Sequence, residues 1–137
     1  IMDTGIKTDI QGYDIDGNTA AMARENAASA GVATLIHIQQ RDVASLSHPG
    51  KYGFIITNPP YGERIGEADE LPKIYEALGE RFKRLDTWSM YLITAYEDAQ
   101  KYIGRMADKN RKIYNGMIKT YFYRYAGPKP PRRNPDA

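Results

Sequence analysis

Apolar residues along this chain alternate between the spacing of strands and that of helices. Short apolar or alternating runs predict strands at residues 9–15, 35–40, 52–57 and 88–94. Apolar positions three and four apart predict helices at residues 17–30, 71–85 and 97–103. Because strands and helices alternate, the pattern predicts an α/β protein with a mostly parallel sheet and right-handed crossovers.

The first predicted helix carries capping residues at both ends. Asp16 is placed to cap its start, and Gly31 stands where a helix commonly ends. One face of this helix is a stripe of small residues at helical spacing, which is suited to close packing on a sheet: Ala20, Ala23, Ala27 and Ala30.

The end of the chain predicts a β-hairpin. Two strand patterns, at residues 109–114 and 117–125, flank Asn115-Gly116, a strong signal for a tight turn, so the sheet should gain an antiparallel strand. Tyr121, Tyr123 and Tyr125 share one face of the second strand, which favours sheet packing over a stacking platform. Residues 128–137 form a proline-rich basic tail with little reason to fold.

The third strand pattern ends in an unusual way. Its continuous apolar run, Phe54-Ile55-Ile56, predicts a strand buried on both faces. Asn58-Pro59-Pro60 then stops it, because two prolines cannot continue a central strand. Asp14 and Asp42 also follow strand patterns, and a doubly wound sheet binds ligands beyond the carboxyl ends of its strands.

Asn58, Pro59, Pro60 and Tyr61 together suit the methylation of a planar amine. The amine of a nucleobase is conjugated into its ring, so its nitrogen needs positioning rather than a strong base. The Asn58 side-chain carbonyl and the Pro59 main-chain carbonyl can accept the amine protons. The prolines restrict φ, and Tyr61 offers a face for stacking on a flipped base. The alternative is a strand-terminating turn with a half-buried tyrosine.

The two aspartates are the candidate cofactor ligands. Asp14 could accept both hydroxyls of a ribose, leaving Asp16 to cap the helix, although either could be the cap. Asp42 could accept a hydrogen bond from an adenine amine while Val43 covers the adenine ring. Considered without the other motifs, Asp42 would be an ordinary turn residue. Arg64 is a candidate phosphate or base contact. The histidines, His37 and His48, lack ligand spacing, so no metal site is predicted.

Composition narrows the class of protein. Its 137 residues suffice for one core, and 42% hydrophobic with 26% charged residues is typical of a soluble globular protein. No run approaches a membrane span of about 18 residues. The absence of cysteine fits a cytoplasmic location. Residues 1–100 carry nine basic against fifteen acidic side chains, and residues 101–137 carry ten against two. That basic end indicates either a polyanionic partner or a solvated hairpin with a loose tail.

These motifs, in this order, resemble the class I S-adenosylmethionine-dependent methyltransferases, with their Rossmann-like sheet. The resemblance rests on Gly-Tyr-Asp-Ile-Asp from residue 12, Arg-Asp-Val from residue 41 and Asn-Pro-Pro-Tyr-Gly-Glu-Arg from residue 58. The extension Tyr61-Gly62-Glu63-Arg64 and the sequence Lys-Ile-Tyr-Asn-Gly from residue 112 are similar to the THUMP-domain-linked ribosomal RNA methyltransferases that modify the 2-amino group of guanine.

This resemblance implies S-adenosylmethionine as cofactor and 23S ribosomal RNA as substrate. It implies a cofactor site of Asp14, Ile15, Asp42, Val43 and Asn58, a catalytic turn of residues 58–61, and substrate contacts from Tyr61 and Arg64. Residues 1–127 would be a partial catalytic domain, because the family's first strand and glycine-rich loop have no match in residues 1–10. We therefore expect an N-terminal part of the same protein to be missing, and the fragment alone to be inactive. Methylation of adenine in DNA or of a protein glutamine, or a non-catalytic RNA-binding module, are the alternatives.

Overall fold

The computed structural model describes residues 9–61 and 68–131. It divides into two compact units, residues 1–46 and 47–137. In chain order the elements are β1 (Ile10–Asp14), α1 (Gly17–Ser29), β2 (Ile36–Gln40), a 3-10 turn (Val43–Ser45), β3 (Phe54–Thr57), α2 (Leu71–Arg84), β4 (Ser89–Thr94), α3 (Ala99–Ile103), β5 (Lys109–Asn115) and β6 (Ile118–Tyr125).

The first unit is a parallel strand pair with one helix. Strands β1 and β2 run parallel, with Asp14 beside Gln40 at their carboxyl ends. Helix α1 connects them, and Ala20 and Ala27 are its buried residues. The predicted alanine stripe is therefore confirmed only in part: Ala23 is half-buried, and Ala30 is exposed because the helix has already ended at Ser29. Gly31 has the positive φ, 77°, that a helix end of this kind requires.

The second unit is a four-stranded mixed sheet in the order β3-β4-β6-β5. Strands β3 and β4 are parallel, whereas β6 is antiparallel to both β4 and β5, which confirms the predicted α/β fold with a terminal antiparallel hairpin. The hairpin loop is Gly116-Met117 rather than Asn115-Gly116, since Asn115 pairs with Ile118. Gly116 has a φ of 64° at the first loop position, where a type II′ turn favours glycine.

Helix α2 packs on one face of this sheet and forms its core. That face carries the fully buried side chains of Met90 and Leu92, and the Phe82 ring of α2 meets Tyr125 edge-on at 6.1 Å. Tyr123 is buried beside them, so the tyrosines of β6 do serve sheet packing as expected. Helix α3 lies against α2, with Ala99 and Ile103 buried.

The expected burial of the third strand on both faces is wrong. Phe54 is 64% exposed and Ile56 is 78% exposed. The reason is position: β3 is at an edge of the sheet, and both side chains point to the face opposite α2. An apolar run reports that a strand can be buried, but not whether neighbours cover it.

No helix in the described part of the chain is long and apolar enough to cross a membrane. Residues 128–131 of the predicted tail have neither helix nor strand, and residues 132–137 lie outside the described residues.

Candidate active site

The Asn-Pro-Pro-Tyr turn, residues 58–61, begins directly after β3. The last pair between the parallel strands is Thr57 with Leu92, so the turn leaves the sheet at the edge where β4 also ends. Within the turn Pro59 is buried, Asn58 is exposed and Tyr61 is half-buried. The turn therefore has a buried proline, while the amide side chain of Asn58 faces solvent.

Tyr75, a buried residue of α2, contacts the turn. The Tyr75 hydroxyl donates to the Pro60 carbonyl oxygen at 3.0 Å, and Tyr75 is fully buried. The same hydroxyl lies 2.5 Å from the Oγ1 atom of Thr94, the last residue of β4. Thr94 is fully buried, and its Oγ1 accepts the Tyr96 backbone N–H at 2.9 Å. These contacts connect the turn to the helix and to the neighbouring strand.

Aromatic rings surround this hydrogen-bonded group. The ring of Tyr96 lies 4.9 Å from that of Tyr75, and it stacks on Tyr102 at 6.1 Å with planes 8° apart. Burial raises the pKa of the Tyr96 hydroxyl, and the neighbouring Tyr102 and Asp98 raise it further. The end of β4 beside the turn is thus lined by the rings of Tyr75, Tyr96 and Tyr102.

In the first unit, Asp14 and Asp42 come to the same edge of the β1–β2 pair. Asp14 ends β1, and its carbonyl oxygen accepts the backbone N–H of Arg41, the residue before Asp42, at 2.8 Å. Asp14 Oδ1 accepts the Asp16 N–H at 2.8 Å, and the Asp14 side chain is half-buried. Parallel strands place their carboxyl ends together, which is why residues 28 apart in the sequence become neighbours here.

Asp16 is the helix cap. Its Oδ1 accepts the Asn18 N–H at 2.9 Å, and its Oδ2 accepts the Thr19 hydroxyl at 3.2 Å. The expectation that Asp16, and not Asp14, caps the helix is therefore confirmed. Asp42 does form a turn: its Oδ1 accepts the Ala44 N–H at 2.9 Å as the 3-10 turn begins. Ile15 is 66% exposed and Val43 is half-buried, so apolar surface flanks both carboxylates.

Arg64 and the histidines were also considered from the sequence. Arg64 lies outside the described residues. His48 accepts the Gly50 N–H and packs on Trp88, as a loop residue would, and the described residues contain no cluster of His, Asp or Glu that could hold a metal ion. Two residues of the hydrogen-bonded group next to the turn, Tyr75 and Thr94, were not among the candidates predicted from the sequence. Thr94 could have been found in the sequence, because it is a polar residue at the end of a buried apolar strand. Tyr75 could not, because its position only follows the helical spacing of the core residues of α2.

The chain matches a family model. Residues 2–124 fit the UPF0020 family, described as RMKL-like, methyltransferase domain. YpsC of Bacillus subtilis, whose name assigns it provisionally to the RNA methyltransferases, is 42% identical over 120 residues, 88% of this chain. Ribosomal RNA large subunit methyltransferase K/L of Shewanella baltica is 36% identical over 115 residues, 83% of this chain.

A solved structure shows the same fold. SMU.472, described provisionally as a methyltransferase and crystallised as a complex with SAH, superposes with a TM-score of 0.86 at 36% identity. The match covers 94% of this chain and 34% of that one. The chain spans 31% of the Bacillus relative and 16% of the Shewanella relative, so it corresponds to one part of each.

Proposed function

The chain belongs to the RMKL-like methyltransferase domain family, and on that premise we propose that it carries the target-base part of an S-adenosylmethionine-dependent RNA methyltransferase. The reaction is transfer of a methyl group to the exocyclic 2-amino group of guanine in 23S ribosomal RNA. Ribosomal RNA as substrate implies a cytoplasmic enzyme.

One observation carries the proposal: the Asn-Pro-Pro-Tyr turn lies at the carboxyl end of β3 with Asn58 exposed and Pro59 buried. Asn58 Oδ1 and the Pro59 carbonyl accept the two protons of the guanine amine and orient its nitrogen. Tyr61 stacks on the base after it leaves its helix, and Arg64 contacts a phosphate or a base of the RNA. The amine proton passes to solvent when the nitrogen gains its methyl group.

The residues of the first unit fit the methyl donor. A ribose offers two hydroxyl donors, and Asp14 is a half-buried carboxylate that uses Oδ1 in its local turn. Asp42 accepts the Ala44 amide through Oδ1, which leaves Oδ2 for an adenine amine. Ile15 and Val43 would supply apolar contact for the donor. When bound, S-adenosylmethionine supplies an electrophilic methyl group.

Support for RNA as substrate comes from the relatives and from charge. The Shewanella relative is named a ribosomal RNA large subunit methyltransferase, and the Bacillus relative is provisionally an RNA methyltransferase. Residues 101–137 hold ten basic side chains against two acidic ones, and the basic side chains of β5 are exposed. A basic surface of this kind binds phosphates without selecting a sequence.

The test is Asn58→Ala in the full-length protein. The variant should lose methyl transfer while its affinity for S-adenosylmethionine, measured by calorimetry, changes less than about twofold, because Asn58 acts mainly on the amine. Glu76→Ala, an exposed change on α2, is the control and should retain full activity. Wild-type rates in Asn58→Ala would show that the turn is not catalytic.

A non-catalytic RNA-binding module is the second candidate, favoured by the exposed basic strand β5. Salt-dependent RNA binding that persists in Asn58→Ala and Tyr61→Ala, without any methylated product from the wild type, would establish it instead.

A further inference from the structure

A chain of hydroxyl groups lies beneath the Asn-Pro-Pro-Tyr turn and has a single direction. A carbonyl oxygen only accepts, so the Tyr75 proton is directed to the Pro60 carbonyl. The Thr94 hydroxyl must then donate across the 2.5 Å contact to the Tyr75 oxygen. Thr94 Oγ1 in turn accepts the Tyr96 N–H. The order is therefore Tyr96 N–H to Thr94, Thr94 to Tyr75, and Tyr75 to the Pro60 carbonyl.

The hydroxyl chain is placed where it can hold the Asn-Pro-Pro-Tyr turn in one conformation. Tyr75 and Thr94 are both fully buried, so water does not compete for their hydroxyls. The hydroxyl chain ends on the Pro60 carbonyl, which is the next carbonyl in the turn after that of Pro59. Both prolines restrict φ, so holding the Pro60 carbonyl leaves the turn little freedom. Aligned hydrogen bonds in a buried environment also strengthen one another.

We propose that Tyr75 and Thr94 are positioning residues that fix the Asn-Pro-Pro-Tyr turn through this hydroxyl chain, so that Asn58 Oδ1 and the Pro59 carbonyl meet the amine in one geometry. The proposal rests on the proposed methyl transfer. Neither residue touches the substrate; each acts through the Pro60 carbonyl. A purely structural role would affect stability and leave the rate constant for transfer unchanged.

The experiment measures single-turnover methyl transfer by the full-length protein carrying Tyr75→Phe, Thr94→Val or both. Each single variant should lower the rate constant by about 10- to 100-fold, the loss typical of a misplacement near 1 Å. Affinity for S-adenosylmethionine should stay within about twofold, since both residues lie outside the proposed donor contacts. The double variant should be no slower than the slower single variant, because links of one chain are not additive.

Two further variants separate positioning from packing. Thr94→Ser keeps the hydroxyl and should retain at least about a third of the wild-type rate, whereas Thr94→Val has the same shape without the hydroxyl. Tyr125→Phe is the matched control: it removes another fully buried tyrosine hydroxyl of the same core, one with no hydrogen-bond partner among the described residues. It should transfer at the wild-type rate.

A readout that needs no activity completes the test. Hydrogen exchange at the Tyr96 amide, which donates to Thr94, should accelerate about tenfold in Thr94→Val and stay slow in Thr94→Ser. Wild-type transfer rates in folded Tyr75→Phe and Thr94→Val, with Asn58→Ala inactive, would overturn the positioning role and leave the proposed function standing. A wild-type protein that transfers no methyl group to RNA would overturn both.

Discussion

Replacing Tyr125 by phenylalanine should stabilise the protein. Its ring is fully buried, and its hydroxyl has no hydrogen-bond partner in the part of the chain that the structure describes. Burying a hydroxyl without a partner costs about 1–3 kcal/mol. Removing it leaves a gap of one atom, which forfeits dispersion contacts of a few tenths of a kcal/mol. The free energy of unfolding should therefore rise by about 1 kcal/mol.

The same substitution should change how stability depends on pH. Burial raises the pKa of the Tyr125 hydroxyl far above its ordinary value of 10.0, and the nearby Tyr123 adds to the rise. The unfolded chain releases this proton near pH 10 while the folded protein keeps it, so the contribution to stability is complete below pH 10 and is lost as pH rises beyond it. The loss approaches about 1.4 kcal/mol per pH unit for one such group.

Urea unfolding of the purified protein at pH 7, 10 and 11 measures both effects. The gain of Tyr125→Phe should be about 1 kcal/mol at pH 7 and should widen by up to about 1 kcal/mol between pH 10 and pH 11. Tyr114→Phe, on a side chain that is 70% exposed, is the control and should stay within about 0.5 kcal/mol of wild type. A destabilised Tyr125→Phe, or a gain that does not widen, would refute this reasoning.

Three other predictions follow from local geometry. A Cβ on Gly79 would lie 2.3 Å from the carbonyl oxygen of Ile103. The Gly79→Ala substitution should therefore lower the free energy of unfolding, measured in urea, by about 1–2 kcal/mol, although alanine has the better helix propensity. A more stable variant would show that α2 and α3 can separate freely. Asp16→Ala removes the cap of α1 and should cost about 1 kcal/mol, whereas Asp98→Ala, at a helix start without a side-chain cap bond, should cost less; equal losses would contradict the capping role. Lys112→Gln should weaken RNA binding and lower the salt slope by about 1, and an unchanged slope would remove that side chain from the RNA surface.

Local sequence signals predicted the elements and the placement of the turn. Prolines cannot continue a strand, so residues 58–60 marked the end of β3 without any tertiary information. Carboxylates that follow parallel strands must meet at one edge, and Asp14 and Asp42 do. The exposure of Phe54 and Ile56 was not predictable in the same way, because it depends on which strands and helices lie alongside β3.

The support beneath the turn could not be predicted from spacing. Tyr75 lies 15 residues after Pro60 and 19 before Thr94, and helical periodicity assigned it to the core with the apolar residues around it. Only the packing of α2 over the end of β4 brings its hydroxyl to both partners. Likewise, the hairpin signal was right about the turn, but the loop moved by one residue because Asn115 pairs with Ile118.

The identity of the methylated nucleoside tests the central claim most directly. Full-length protein is incubated with S-adenosylmethionine and unmodified 23S ribosomal RNA, or with DNA, and the digested nucleosides are analysed by mass spectrometry. We expect N2-methylguanosine from the RNA, no product from DNA, and no product from the Asn58→Ala variant. N6-methyladenine in DNA, or no methylated nucleoside from the wild-type protein, would contradict it.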